Sequence, residues 1–267
     1  MMIHTPAPYD PDAPVVVIDI GNTAVKVATW AAEELKTPVS VSSEDTRAFQ
    51  NAMAAHIEAM PGGRAAAVVI VSVVPDALDR IRDHVEATLD RIPLVVGERV
   101  PFPMDVALDD PSGMGADRIC AAAAAYDKIE SACTVVDFGT AATVDLVNDE
   151  GKLLGGAILP GVSMQLRSLH EHTAALPHVE AGMPETPFGR NTREAIQNGV
   201  CRGIAGAVRG LVEAYSSHLK YWPHVVATGG DLKWLLPHCD FIDTAVNDLA
   251  LRGVGIAYSR YLSAMGA

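Results

Sequence analysis

The sequence is short of cysteine, of positive charge and of long apolar runs. Four cysteines in 267 residues (Cys120, Cys133, Cys201 and Cys239) lie far apart. None has the CxxC spacing of structural zinc, which predicts reduced, mostly buried thiols of the kind a cytoplasm keeps. Lys and Arg number 20 against 33 Asp and Glu, a formal net charge of −13. A nucleic-acid or anionic-lipid surface needs clustered cations, so both partner classes are excluded, and Arg80, Arg82 and Arg91 are spread among acids. No segment approaches the roughly 20 apolar residues that span a bilayer. Residues 1–14, "MMIHTPAPYDPDAP", lack a basic stretch followed by an apolar core and predict a flexible leader, not a signal peptide. "HEHTAALPH" offers His170, His172 and His178 but no third ligand at metal spacing, which predicts locally bonded or solvated histidines.

What is present is core. With 49% hydrophobic residues the chain can bury one large or two modest domains. Strand-like runs at 15–20, 25–30, 67–73, 135–138, 143–147, 152–158 and 225–228 alternate with helical patterns at 44–60, 76–90, 162–172, 192–220 and 249–264. That alternation predicts an α/β protein with mixed sheets.

One object occurs twice. "VVVIDIGNTAVKVATW" (15–30) and "VVDFGTAATVDLV" (135–147) each run from an apolar strand through an aspartate and a Gly-containing turn into a second apolar strand. A tight hairpin turn exposes backbone N–H groups beside a threonine hydroxyl, a nest for phosphate oxygens. The aspartate sits where it can hold a cation, or a cation's water, against them. Two such hairpins facing each other across a cleft would grip a triphosphate from both sides. Either one alone reads equally well as an ordinary turn.

The pair, followed by "VVATGGD" (225–231), resembles the actin-like ATPase and sugar-kinase superfamily. "DIGNT" with Lys26, "VSVVP" (71–75), "GADR" (115–118), "DFGTAAT" (137–143), "GGAILPG" (155–161), "LP" (176–177), "NTREAIQNG" (191–199), "TGGD" (228–231) and "LALRG" (249–253) together resemble type III pantothenate kinase. The resemblance covers nearly all of the chain after residue 14. It implies two duplicated actin-like ATPase (ribonuclease H-like) domains, 15–130 and 131–267, with a cleft between them. It also implies ATP-dependent phosphorylation of pantothenate, the first step toward coenzyme A.

The site residues follow from the same resemblance. Asp117, near the start of a helix, is the candidate base. A carboxylate in a first helical turn is favoured as the anion, so it is expected to be ionised with an ordinary pKa. Gly115, Ala116, Arg118 and Thr192 would bind pantothenate, Arg118 by a bidentate fork to its carboxylate. Asp19 would position Mg²⁺ through water, and Lys26 would reach the β- or γ-phosphate. Gly21, Asn22, Thr23, Thr140 and Thr143 would line the phosphates, while Gly229 and Gly230 would admit the nucleotide. Asp137 matches the family's monovalent-cation site for K⁺ or NH₄⁺.

Read without the resemblance, Asp117 is a helix-favouring acid, Arg118 a salt-bridge partner of Asp117 or Asp127, and Thr192 an N-cap. Two departures stand out. Leu108 replaces the family's pocket tyrosine in Leu108-Asp109-Asp110-Pro111, and Ala142 replaces one hydroxyl of the second turn. A regulatory or nucleotide-binding relative, a phosphohydrolase, or a kinase for another small hydroxy acid therefore remain alternatives. On the helix expected over 192–220, Ile196, Val200, Ile204, Val208 and Leu211 form a core-facing stripe. Gly199, Gly203, Gly206 and Gly210 run beside it. They admit either a helix of the same chain or, as the family's homodimers imply, the same helix of a second copy.

Overall fold

The computed structural model describes residues 13–108 and 113–266. The expected leader, apart from residues 13 and 14, lies outside the described residues, as do Asp109, Asp110 and Pro111. The described chain divides into two units, one of residues up to 105, 113–124 and 249–266, the other of residues 106–108 and 125–248.

The first unit is built on a five-stranded sheet in the order β3-β2-β1-β4-β5. Its strands are β1 (Val15–Ile20), β2 (Ala24–Ala31), β3 (Glu34–Ser42), β4 (Val68–Ser72) and β5 (Leu94–Val95). The first three are antiparallel, and β4 and β5 run parallel to β1. The uninterrupted apolar run of β1 has a simple cause: both its faces are covered. Val16, Ile18 and Ile20 pack with Phe49 and Met53 of α1 (Thr46–Glu58) and Ile81 and Val85 of α2 (Pro75–Leu89). Val15 and Val17 pack on the opposite face with Trp30, with Cys120 of α3 (Ala116–Ile129) and with Leu251 and Val254 of α7 (Leu249–Ala264). A central strand with period-two side chains and two covered faces needs apolar residues at every position.

The placement of α7 differs from the contiguous halves expected from the sequence. This last helix belongs with the first unit, against β1, β2, β3 and β4. Two glycines permit it. A Cβ at Gly253 would stand 2.6 Å from Cys120 Cα, and one at Gly255 would clash with the Trp30 ring. The contact is fastened by Trp30 Nε1 donating to Ser259 Oγ at 3.1 Å.

The second unit repeats the plan. Its strands β6 (Cys133–Phe138), β7 (Ala141–Val147), β8 (Leu153–Pro160), β9 (His224–Thr228) and β10 (Thr244–Ala245) lie in the order β10-β9-β6-β7-β8. Here β6 takes the place of β1 and β9 that of β4, with the same parallel and antiparallel pairings. Val136, Phe138, Val144 and Val225 form the core with Leu166 of α4 (Val162–Glu171) and the Ile196, Val200, Ile204 and Val208 stripe of α5 (Thr192–Leu219). A short helix, α6 (Leu232–Leu235), follows β9. The duplicated actin-like fold anticipated from the two hairpins is thus visible as the same strand order built twice.

Three strands were not legible in the sequence: β3, β5 and β10. The last two have two residues each. β3 lies at the sheet edge with no buried residue, so burial leaves no continuous apolar run in it, and Pro38 sits where a missing N–H costs little. All four cysteines are buried and free. Among the described residues no helix is long and apolar enough to cross a membrane.

Candidate active site

In the first unit the site begins at the β1–β2 hairpin. Its register sets Asp19 opposite Lys26, and on the other side of β1 Asp19 is level with Val71 of β4. Gly21 N–H donates to Ala24 O at 3.0 Å, closing the turn. Ser43 holds the turn from beyond β3. Its N–H donates to Thr23 O at 3.0 Å, and its hydroxyl donates to Asn22 O at 2.8 Å. Those carbonyls are engaged by Ser43, and Asn22 and Thr23 are exposed at the turn.

The start of α3 supplies the second group. Gly115 O accepts the N–H of Arg118 at 3.1 Å, and Asp117 Oδ1 accepts the same N–H at 2.8 Å. A Cβ at position 115 would stand 2.5 Å from Asp117 Oδ1. Gly115 is therefore what allows the Asp117 carboxylate its position. Burial raises the Asp117 pKa above the ordinary carboxylate value, against the opposing pull of the Arg118 N–H and guanidinium. The expected ordinary pKa is corrected accordingly: the helix start favours the anion, but loss of hydration weighs more. One turn on, the buried Cys120 thiol is pushed well above its usual range, by burial first and then by the charges of Asp19 and Asp117. Cys120 packs against Val17 of β1, two residues before Asp19, so the structure brings the Asp19 and Asp117 motifs into one neighbourhood, and the thiol there stays protonated and inert.

In the second unit the β6–β7 register sets Asp137 opposite Thr143, and the parallel pairing puts it level with Thr228 of β9. The turn between these strands is Gly139-Thr140, with Gly139 N–H donating to Ala141 O at 3.2 Å. The two late glycines divide their labour. Gly229 has φ +109°, and a Cβ there would stand 2.6 Å from Asp137 Oδ1 and closer still to Phe138 O. Gly230 would meet nothing within 4 Å. Only Gly230 offers an open face; Gly229 serves the packing beneath it.

Thr192 opens α5, but it is not the N-cap. That position is Asn191, whose side chain accepts Glu194 N–H at 3.0 Å. The Glu194 carboxylate returns to Asn191 Nδ2 at 2.8 Å and Arg190 N–H at 2.9 Å, a reciprocal cap. Thr192 instead lines an apolar groove of about 680 Å³ between α4 and α5, with Met164, Gln165, Leu169, Ala195 and Gly199. Leu108 lies elsewhere in this unit, beside β8, where a Cβ at Gly155 would stand 3.3 Å from its Cδ2. His170 Nδ1 donates to Leu176 O at 2.9 Å, and its ring meets that of His178 edge-on at 5.7 Å.

A family model described as type III pantothenate kinase matches residues 15–214. The chain belongs to the type III pantothenate kinase family. A relative of that name from Gluconobacter oxydans is 34% identical over 250 residues, covering 92% of this chain and 93% of the relative. Another from Thermomicrobium roseum is 33% identical over 257 residues, covering 94% and 99%. Among solved structures, a Baf family protein from Campylobacter jejuni superposes with a TM-score of 0.57 at 22% identity, over 92% of this chain and 98% of its own. The ethanolamine utilization protein EutJ from Carboxydothermus hydrogenoformans does so at 0.53 and 15%, over 95% and 91%. These two share the fold.

Against this family background, sequence reasoning passed over residues inside motifs it had quoted. Asp231 closes "TGGD" and Gly161 closes "GGAILPG", and neither was given a role. The N–H of Asp231 donates to Phe138 O at 3.0 Å, and that of Gly161 donates to Thr140 O at 3.1 Å. Both bonds end on the turn of the β6–β7 hairpin, at Phe138 and Thr140. A glycine directly before a helix and an acid directly after a glycine pair were the available signals.

Proposed function

We propose that this chain transfers the γ-phosphoryl group of ATP to the primary hydroxyl of pantothenate, giving 4′-phosphopantothenate, and does so as a cytoplasmic homodimer. The observation that carries the reading is Asp117, a carboxylate at the start of α3 whose proton affinity is raised by burial. It shares a neighbourhood with Asp19, itself opposite Lys26. The pantothenate hydroxyl oxygen attacks the γ-phosphorus, the bond to the β–γ bridging oxygen breaks, and ADP leaves. Asp117 orients the hydroxyl and takes its proton late, because the transition state is loose. Arg118 binds the pantothenate carboxylate, joined by Gly115, Ala116 and Thr192. Lys26 neutralises phosphate charge, Asn22, Thr23, Thr140 and Thr143 line the phosphates, and Gly230 takes the nucleotide.

Among the described residues no group of three or more His, Cys, Asp and Glu could hold a metal. Cations here would be held by single carboxylates, with Asp19 the residue that would hold Mg²⁺, whose preference for oxygen donors a carboxylate suits. Asp137, packed under Gly139 and Gly229, fits a monovalent ion in the same manner. When bound, these ions supply charge neutralisation at the phosphates. ADP release measured with a coupled assay is expected to require pantothenate and Mg²⁺ and to be faster in K⁺ than in Na⁺. Asp137→Ala is expected to lose the monovalent dependence and to raise the KM for ATP about tenfold, the order of a charge-assisted contact. ADP release independent of pantothenate would point to a phosphohydrolase, and equal rates in K⁺, Na⁺ and a bulky organic cation would remove the Asp137 site.

The dimer is supported by α5. Its apolar stripe is spent on the core of its own unit. On the other side, a Cβ at Gly199, Gly203, Gly206 or Gly210 would meet nothing within 4 Å. Among the described residues, nothing of this chain comes close enough to touch a side chain at these four positions. Glycine in a helix costs roughly 1 kcal/mol relative to alanine, so four on one open face call for an approaching backbone. A two-fold pairing of α5 with its mate supplies one. Sedimentation at assay concentration is expected to give twice 28.2 kDa; a fully active monomer would overturn this arrangement.

A further inference from the structure

The "VSVVP" stretch (71–75) has no part in the scheme above, yet it ends beside the candidate base. In β4 the odd positions face α3: Val69 and Val71 pack with Cys120, while Val68 and Ile70 pack on the other face with α1 and α2. Val73 is the next odd position. Its N–H donates to Ile20 O at 3.2 Å, which carries the pairing with β1 one residue past the strand and keeps the alternation. There Val73 bears on Gly115. Outside Gly115 and its chain neighbours, the nearest atoms to the point that a Cβ would occupy are Asp117 Oδ1 at 2.5 Å and Val73 Cγ1 at 3.3 Å. The carboxylate and the valine methyl close on the one gap that the glycine leaves. The Ser72 hydroxyl fixes this arrangement. It accepts Val74 N–H at 3.0 Å and donates to Val74 O at 3.2 Å, folding the chain around Val73 before Pro75 opens α2.

We propose that Val73 is a positioning residue for the phosphoryl transfer, the apolar wall that seats the Asp117 carboxylate and keeps water from its β4 side, with Ser72 holding that wall in place. The proposal rests on Asp117 being the base, as read above. Val73 is half-buried and in this scheme acts through Asp117. A carboxylate flanked by a methyl group in place of water is less well solvated as the anion, which makes it a better proton acceptor. Burial is indeed the largest influence on Asp117. The charged groups about it are Arg118 on its own helix and, on the sheet face that carries Val17 and Ala28 to Cys120, Asp19 and Lys26. β4 itself has no ionisable side chain. Changes at positions 72 and 73 leave all of these charges in place, so they report the apolar wall.

Val73→Ala removes the wall, and Val73→Thr keeps its shape while offering a hydroxyl. Each is expected to lower the pKa of Asp117 by about half a unit or more, because water or the hydroxyl then solvates the anion. Carbon NMR of aspartate-labelled protein reads this directly, the Asp117 signal being the one lost in Asp117→Asn. The acid limb of kcat/KM should move down with it, and the KM for ATP should not change. At neutral pH kcat should fall less than in Asp117→Asn, since a carboxylate remains. Val73→Ile keeps an apolar wall and should not lower the pKa. Ser72→Ala loosens the turn and should shift it in the same direction as Val73→Ala, while Ser72→Thr, which keeps the hydroxyl, should restore it. An Asp117 pKa at the wild-type value in both Val73→Ala and Val73→Thr would overturn the proposal, whatever the two changes did to the melting temperature. The wild-type value in Ser72→Ala would remove Ser72 from it. A wild-type chain that phosphorylates no pantothenate would defeat the underlying reading, whereas the NMR titration would still tell whether Val73 sets the proton affinity of Asp117.

Discussion

Asp117→Asn is expected to cut kcat by about 10²- to 10⁴-fold, the usual contribution of a positioned general base, while leaving the fold intact. The amide copies the shape of the carboxylate and can still accept the Arg118 N–H that Asp117 Oδ1 accepts at 2.8 Å, but it cannot take a proton from a hydroxyl. Stability should move the other way from activity. The folded-state pKa of Asp117 is raised by burial, whereas in the unfolded chain the group titrates near the ordinary value of about 3.9. As pH rises from below 3.9, the unfolded chain loses this proton first. Through that window the folded state binds more protons, and stability falls until the folded group has ionised too. At neutral pH, therefore, the buried anion is a liability that the amide removes. The melting temperature of Asp117→Asn should equal or exceed that of wild type at pH 7, with the advantage gone at pH 3. The wild-type pH profile should carry its mark as well, because kcat/KM must fall on the acid side at a pH above that of an ordinary aspartate. Turnover within tenfold of wild type would remove Asp117 as the base. A melting temperature several degrees lower would mean that the loss was one of folding.

Gly229→Ala and Gly230→Ala, adjacent in sequence, are expected to behave as opposites. At Gly229 the backbone has φ +109°, and a methyl would lie 2.6 Å from Asp137 Oδ1. An alanine pays for that conformation and then displaces either the carboxylate or the β6 backbone, a combined cost of about 3 kcal/mol or more. For a chain of this size that lowers the melting temperature by about 6–12 °C. Because Asp137 is pushed aside, the response to K⁺ should weaken along with ATP affinity. Gly230 meets nothing within 4 Å and has no positive φ. Alanine there should keep or slightly raise the melting temperature, since it narrows the unfolded ensemble. Its effect should fall on the KM for ATP, through the open face on which the nucleotide is placed. Thermal melts and ATP titrations of the two variants separate the roles: a Gly229→Ala protein as stable as wild type would contradict the geometry, and an unchanged ATP KM in Gly230→Ala would move the nucleotide away from this turn.

The hairpins were legible because everything that makes them is local. Alternating side chains, a turn two or three residues long and a glycine within it fix the register, so Asp19 opposite Lys26 and Asp137 opposite Thr143 follow from short stretches of chain. The covered faces of β1 and β6 were readable from their unbroken apolar runs, and the inward stripe of α5 from its spacing. Membership of the family follows from motifs of this same local kind, spread in order along the chain. Other properties depend on what a residue meets from far away. The raised pKa of Asp117 comes from burial, which no first-turn position announces. The cap of α5 passed from Thr192 to Asn191 because one residue of offset decides which side chain reaches Glu194 N–H. The docking of α7 on the first unit needed Gly253 and Gly255 to find the Cys120 backbone and the Trp30 ring, partners more than 130 and 220 residues earlier. Local sequence determined the strands, the turns and the chemistry they carry; tertiary structure decided which charges lost their water and which glycines another backbone would touch, because hydration and close contact belong to neighbours in space.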